Sequence, residues 1–161
     1  MSETATEAVR TWSESEEEAL RLWIALARCY LTFSREVSSQ ISEYGLTSAQ
    51  FGVMEALHHV GPMPLGELAG KLLVTGGNVT YVMDRLEQQG LVERVRSAED
   101  RRVVTAELTD EGRRIIDEYF PGHASFIEGL TDSLTPDERT QLRGLLKKLG
   151  KGITAESSGA S

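Results

Sequence analysis

The sequence predicts a mainly α-helical protein with one small β-hairpin, on three observations. Apolar residues recur at steps of three and four through most of the chain, which is the period of a half-buried helix. Two short runs, LVERVR and RVVTAEL, read as strands around the polar stretch SAED. Helix-starting combinations, Thr47 with Gln50 and the run Thr135-Pro136-Asp137-Glu138, divide the helical stretches into separate elements.

A chain of 161 residues, 40% hydrophobic and 26% charged, fits one soluble globular domain with a modest core. Its net charge of −8 excludes a surface that is basic everywhere, so any polyanion must be met by a local patch. The one cysteine, Cys29, leaves no intramolecular disulfide, and no secretory pattern opens the sequence. Charges interrupt every apolar run before it reaches bilayer length. The expected setting is reducing and cytoplasmic, with no membrane.

Residues 1–15 are polar and mostly acidic, and 151–161 (KGITAESSGAS) are small and polar, so both ends read as flexible tails. Segment 16–45 lacks proline, and Leu20, Trp23, Ile24, Ala27, Tyr30, Leu31, Val37, Ile41 and Tyr44 keep helical spacing along it. One long helix follows, with two shorter helices broken near Ser38-Ser39 as the alternative. It exceeds what a compact domain of this size needs, so part of its apolar stripe is expected to meet a second subunit.

Region 46–108 is the informative part. Thr47 and Gln50 form a capping box, Leu46 can staple onto Phe51, and the helix they start should stop at Gly61-Pro62. Leu65, Leu68, Ala69 and Leu72 then make one apolar stripe. After an LVTGG turn, Val79, Val82, Met83 and Leu86 make another, in a helix over 77–89. Two short amphipathic helices around a glycine-containing turn describe a helix-turn-helix, and the hairpin beyond Gly90 fits a wing. Over 109–150, Thr109 caps a helix whose apolar spacing continues across Pro121, predicting a kink and not a stop. The final helix runs through Leu142, Leu145, Leu146 and Leu149 to Gly150.

With its apolar residues turned inward, the 77–89 helix presents Gly77, Tyr81, Asp84, Arg85 and Gln88 outward, flanked by Asn78 and Thr80. Short polar groups, a phenol and one arginine can approach base edges and phosphates in a major groove. Gly76-Gly77 clears bulk from the helix N-terminus, where free N–H groups can meet a phosphate. Asp84 does not suit such a face unless an arginine pairs with it or it reads a cytosine, so it is assigned a structural role. In the wing, Asp100 and Arg102 fall on the same side of an extended strand, where the carboxylate can hold the guanidinium ready for a narrow minor groove. Arg94, Arg96 and Arg101 concentrate further positive charge nearby, which reconciles local DNA binding with an acidic chain.

Over Leu20 to Leu149 the chain resembles the MarR family of bacterial winged-helix transcriptional regulators. The residues that carry the resemblance are LTSAQFGVMEAL, LGELAGKL, GNVTYVMDRLEQQGLVERV, and DRRVVTAELTDEG from Asp100 to Gly112. The resemblance implies a homodimer with interlocked terminal dimerisation helices, gripping a pseudo-palindromic operator in double-stranded DNA. It places Asn78, Thr80, Tyr81 and Arg85 on major-groove bases and phosphates, and Arg101 or Arg102 in the minor groove. Many members carry a basic residue where this chain has Tyr81, so base preference does not transfer.

The resemblance also implies relief of DNA binding by a small aromatic or phenolic effector, for which Trp23 and Tyr30 are candidate cleft residues. It alternatively implies oxidation of a cysteine in the first helix, a thiol-based reading that falls on Cys29. Against these stand the ordinary roles of core aromatics and of an inert buried cysteine. His58 and His59 are adjacent and diverge on a helix, with His123 distant in sequence, so no metal or other cofactor is expected. No nucleophile elbow, phosphate loop or dinucleotide fingerprint points to an enzyme. A winged-helix module that binds protein and not DNA is the remaining alternative.

Overall fold

The computed structural model describes residues 11–72, 79–96 and 102–158. Its element order is α1 (Glu14–Glu43), α2 (Ser48–Val60), β1 (Met63–Pro64), α3 (Leu65–Lys71), α4 (Val79–Gln88), β2 (Val92–Arg96), β3 (Val104–Leu108), α5 (Asp110–Leu130) and α6 (Pro136–Ser158). The chain divides into two units, Met1–Ser39 and Gln40–Ser161. Within the described residues no helix is long and apolar enough to cross a membrane.

The first unit is the body of α1. It opens on a capping box beyond those expected at Thr47 and Thr135: the Glu16 N–H donates to Ser13 Oγ, and the Ser13 N–H donates back to the Glu16 carboxylate at 2.7 Å. Those bonds from Ser13 hold the Glu16 carboxyl below its usual range. The expected single long helix is present, and several of its apolar residues lie open: Trp23, Tyr30 and Leu31 are 63%, 59% and 66% exposed. Trp23 and Tyr30 are therefore not buried core aromatics of this chain. Cys29 is exposed as well, so it is not the buried cysteine of the ordinary reading.

The second unit holds the core. Phe51, Val53, Met54 and Leu57 of α2 are buried together with Leu68 of α3, Val82, Met83 and Leu86 of α4, Val92 and Ala106 of the sheet, and Ile116 of α5. The α2 capping box forms as expected, with Thr47 Oγ1 accepting from the Gln50 N–H and Gln50 Oε1 accepting from the Thr47 N–H. In α3 the predicted stripe is narrower than expected. Only Leu68 is fully buried, Leu65 and Leu72 are half-buried, and Ala69 is exposed.

The sheet has three strands in the order β1-β3-β2, all antiparallel. The hairpin register pairs Val92 with Leu108 and Arg96 with Val104. β1 was not anticipated: Met63 and Pro64 pair with Ala106 and Thr105, too short a run for any alternation to show.

The first helix after the hairpin, α5, runs unbroken through Pro121. His123 is buried on it, 7% exposed, and its Nδ1 lies 2.9 Å from Gln40 Oε1. Gln40 Nε2 in turn donates to the Tyr44 hydroxyl, whose ring stacks on Tyr119 with centroids 4.3 Å apart. His58, His59 and His123 all face Phe120, with ring centroids 5.9, 4.7 and 6.3 Å from it. The histidines thus share one aromatic cluster despite their sequence separation, and among the described residues no group of potential metal ligands assembles.

α6 departs most from expectation. Its N-terminus is the predicted capping box, where the backbone and hydroxyl of Thr135 hold the Glu138 carboxyl below its usual range. The sequence predicts a stop at Gly150 and a tail over 151–161, yet the helix continues to Ser158. Glycine in a helix costs roughly 1 kcal/mol against alanine. That cost discourages but does not forbid continuation, and the Thr154 hydroxyl bonds back to the Gly150 and Lys151 carbonyls.

Candidate nucleic-acid interface

The candidate interface is built on α4 and the hairpin that follows it. Val82, Met83 and Leu86 sink one face of α4 into the core, which leaves Thr80, Tyr81, Asp84, Arg85 and Gln88 exposed on the other. The helix is closed by Gly90 in the left-handed region, φ 71°. Its N–H donates to the Glu87 carbonyl, and that of Leu91 reaches the Leu86 carbonyl, a double closure that turns the chain directly into β2.

On the outward face Tyr81, Arg85 and Gln88 form a linked row. Arg85 Nε donates to Tyr81 Oη at 3.1 Å, the guanidinium carbon stands 5.3 Å from the Tyr81 ring centroid, and Arg85 Nη1 approaches Gln88 Oε1 at 3.5 Å. Thr80 is exposed one position before this row. Arg96 at the end of β2 and Arg102 ahead of β3 are both exposed. Gly77, Asn78, Asp100 and Arg101 lie outside the described residues, so the expected Asp100–Arg102 pairing does too.

Arg94 behaves differently from the other arginines of the segment. Its Nη1 pairs with Asp84 at 2.8 Å and also with Glu87, its Nη2 donates to the Thr80 carbonyl at 3.1 Å, and its backbone N–H donates to Glu87 Oε1. The side chain is 22% exposed. Arg94 is a clamp between β2 and α4, and it neutralises Asp84, the residue whose charge did not suit the outward face. The sequence signal was there in the form of that unexplained carboxylate.

Behind the hairpin, the Thr109 hydroxyl donates to the Gly90 carbonyl at 2.6 Å and accepts from the Gly112 N–H at 3.0 Å. The first turn of α5 is thereby fastened to the exit of α4, and α4, the hairpin and α5 form a connected frame.

A family model described as MarR family matches residues 46–104, from the entry to α2 to the first residue of β3. The HTH-type transcriptional regulator MhqR of Bacillus subtilis is 36% identical over 83% of this chain and 92% of its own length. The chain belongs to the MarR family. As a MarR-family protein it is a DNA-binding transcriptional regulator, so the protein-binding module without DNA affinity gives way. Among solved structures, a mutant MarR from E. coli complexed with operator DNA is 30% identical, with TM-score 0.72, over 85% of this chain and 99% of that one. Bordetella bronchiseptica BpsR, whose DNA binding is regulated by 6-hydroxynicotinic acid, is 28% identical, with TM-score 0.70, over 78% and 90%. The MarR-family fold accounts for the helix-turn-helix, the hairpin and the long flanking helices together.

Proposed function

We propose that the chain acts in the cytoplasm as a homodimeric repressor on a pseudo-palindromic operator, released by a small aromatic effector, and works by binding without catalysing a reaction. The observation that carries the reading is the outward face of α4, where Thr80, Tyr81 and Arg85 are exposed while a separate arginine absorbs the carboxylates beside them. In the proposal, Gly77, Asn78, Thr80, Tyr81 and Arg85 enter a major groove, and Arg96, Asp100, Arg101 and Arg102 serve the wing. Two such helices entering successive major grooves set half-sites about 34–36 Å apart. A dimer lying across that span would exclude competitors for the same duplex, which favours repression.

Exposed aromatics on α1, Trp23 and Tyr30, are the proposed effector contacts. An effector would act only by binding one dimer geometry more tightly than another. The regulation of the similar BpsR by an aromatic acid supports the ligand class.

The test is operator binding across a salt series. Arg102→Ala is expected to weaken binding to all duplexes and to lower the slope of log affinity against log salt by about one. Equal affinity and slope for wild type and variant would remove Arg102 from the interface.

A further inference from the structure

The Tyr81–Arg85–Gln88 row restricts how Arg85 can be used. A guanidinium carries five N–H donors, arranged as a side edge (Nε with Nη2) and an end edge (Nη1 with Nη2). Either edge can grip the O6 and N7 of a guanine. Here the Tyr81 hydroxyl takes the Nε proton at 3.1 Å, which removes one prong of the side edge. The ring face at 5.3 Å lies within cation–π range of the same guanidinium and limits its swing. Gln88 touches Nη1 only at 3.5 Å, a long bond that a base can displace. All three side chains are exposed on one face of a helix held by a buried apolar stripe, so the arrangement points at whatever α4 meets.

We infer that Tyr81 is a specificity-determining positioning residue, which holds Arg85 so that its end edge is offered to one guanine in each half-site. Tyr81 acts through Arg85, and the inference rests on the proposed reading of Arg85 as a base-contacting residue. The phenol replaces conformational freedom with a preset orientation, and this sharpens discrimination more than it raises affinity.

The experiment selects preferred duplexes from a randomised library with the full chain. It then measures, at low salt where every variant binds, the affinity ratio between duplexes differing at single positions. Arg85→Ala is expected to erase a guanine preference at one position per half-site. Tyr81→Phe keeps the ring and removes the acceptor, and it should reduce that same preference about threefold to tenfold, the worth of one hydrogen bond. The double variant should match Arg85→Ala alone, and thermal melts should stay together because both residues are exposed. If Arg85→Ala leaves every preference intact, the base-contact reading fails and takes the inference with it. If Arg85→Ala erases the preference but Tyr81→Phe matches wild type, or if the Tyr81→Phe effect persists in the Arg85→Ala background, positioning alone is overturned.

Discussion

A methyl group on the Cα of residue 112 would sit 1.9 Å from the carbonyl oxygen of Leu91 and 2.8 Å from its carbon. Both atoms are backbone, tied by the Thr109 N–H bond to that same carbonyl at 3.2 Å, so neither can turn aside. Alanine ordinarily favours a helix over glycine by about 1 kcal/mol. At Gly112 the sign should reverse, with Gly112→Ala destabilising by about 1–3 kcal/mol as overpacking does. Gly129→Ala, in the same helix with open space around it, should be neutral or stabilising. Urea midpoints of the two variants check the pair, and a Gly112→Ala protein as stable as wild type would refute the close approach. His123 supplies a second test at this scale. Burial pushes its imidazole down, against a smaller upward pull from the Glu55 carboxylate. The folded state thus holds the proton less readily than the unfolded chain, whose histidine titrates near the ordinary value of about 6.5. The His123 contribution to stability is complete above that value and is lost as pH falls through it toward the lower folded pKa. An NMR titration should place the His123 midpoint below about 6.5, and a midpoint at or above it would contradict the burial effect.

At the scale of elements, α4 is held in three ways: by its buried stripe, by the Gly90 closure and by Arg94. Replacing Arg94 with alanine would leave Asp84 and Glu87 uncompensated on the helix proposed to face DNA. Asp84 is half in solvent, so the stability cost should stay near 1 kcal/mol. Operator affinity should fall further than that, because two carboxylates would then repel phosphates. Arg94→Lys keeps the charge but not the fork, and it should recover part of the affinity. Anisotropy titrations at fixed salt decide this, and an Arg94→Ala variant with unchanged affinity would sink the clamp. Such elements also mark what could be read in one dimension. The stripe of α4, the Gly90 closure and the caps at Thr47, Thr109 and Thr135 were legible because each needs only neighbours within a turn. β1 was not, since two residues carry no period and gain their identity from β3. The end of α6 is not legible either, because glycine weakens a helix without ending it. The arginines of the hairpin look alike in the sequence. Only their placement separates Arg94, folded back onto α4, from Arg96, two residues on along the strand and exposed.

The whole molecule leaves apolar surface that its own core does not use. On α6, Leu142, Leu145, Leu146, Leu149 and Ile153 are 39–58% exposed and fall on one stripe at helical spacing. A contiguous patch of this kind marks an interaction surface in a soluble protein. A second chain is the proposed cover, and the operator reading needs it, since one lobe reads only one half-site. Introducing charge into the stripe with Leu145→Glu and Leu149→Glu together should therefore do two things. It should reduce the solution mass from two chains to one, and it should lower operator affinity about a hundredfold or more, because linkage between two half-site contacts contributes on that scale. Lys147→Glu is the matched control: it makes the same change in net charge on the opposite side of the helix, so it should leave the mass unchanged and cost affinity only through bulk electrostatics. Sedimentation and anisotropy on the same samples separate the outcomes. A double variant that stays two-chained, or that separates into single chains while keeping full operator affinity, would show that paired reading of the duplex does not depend on this face.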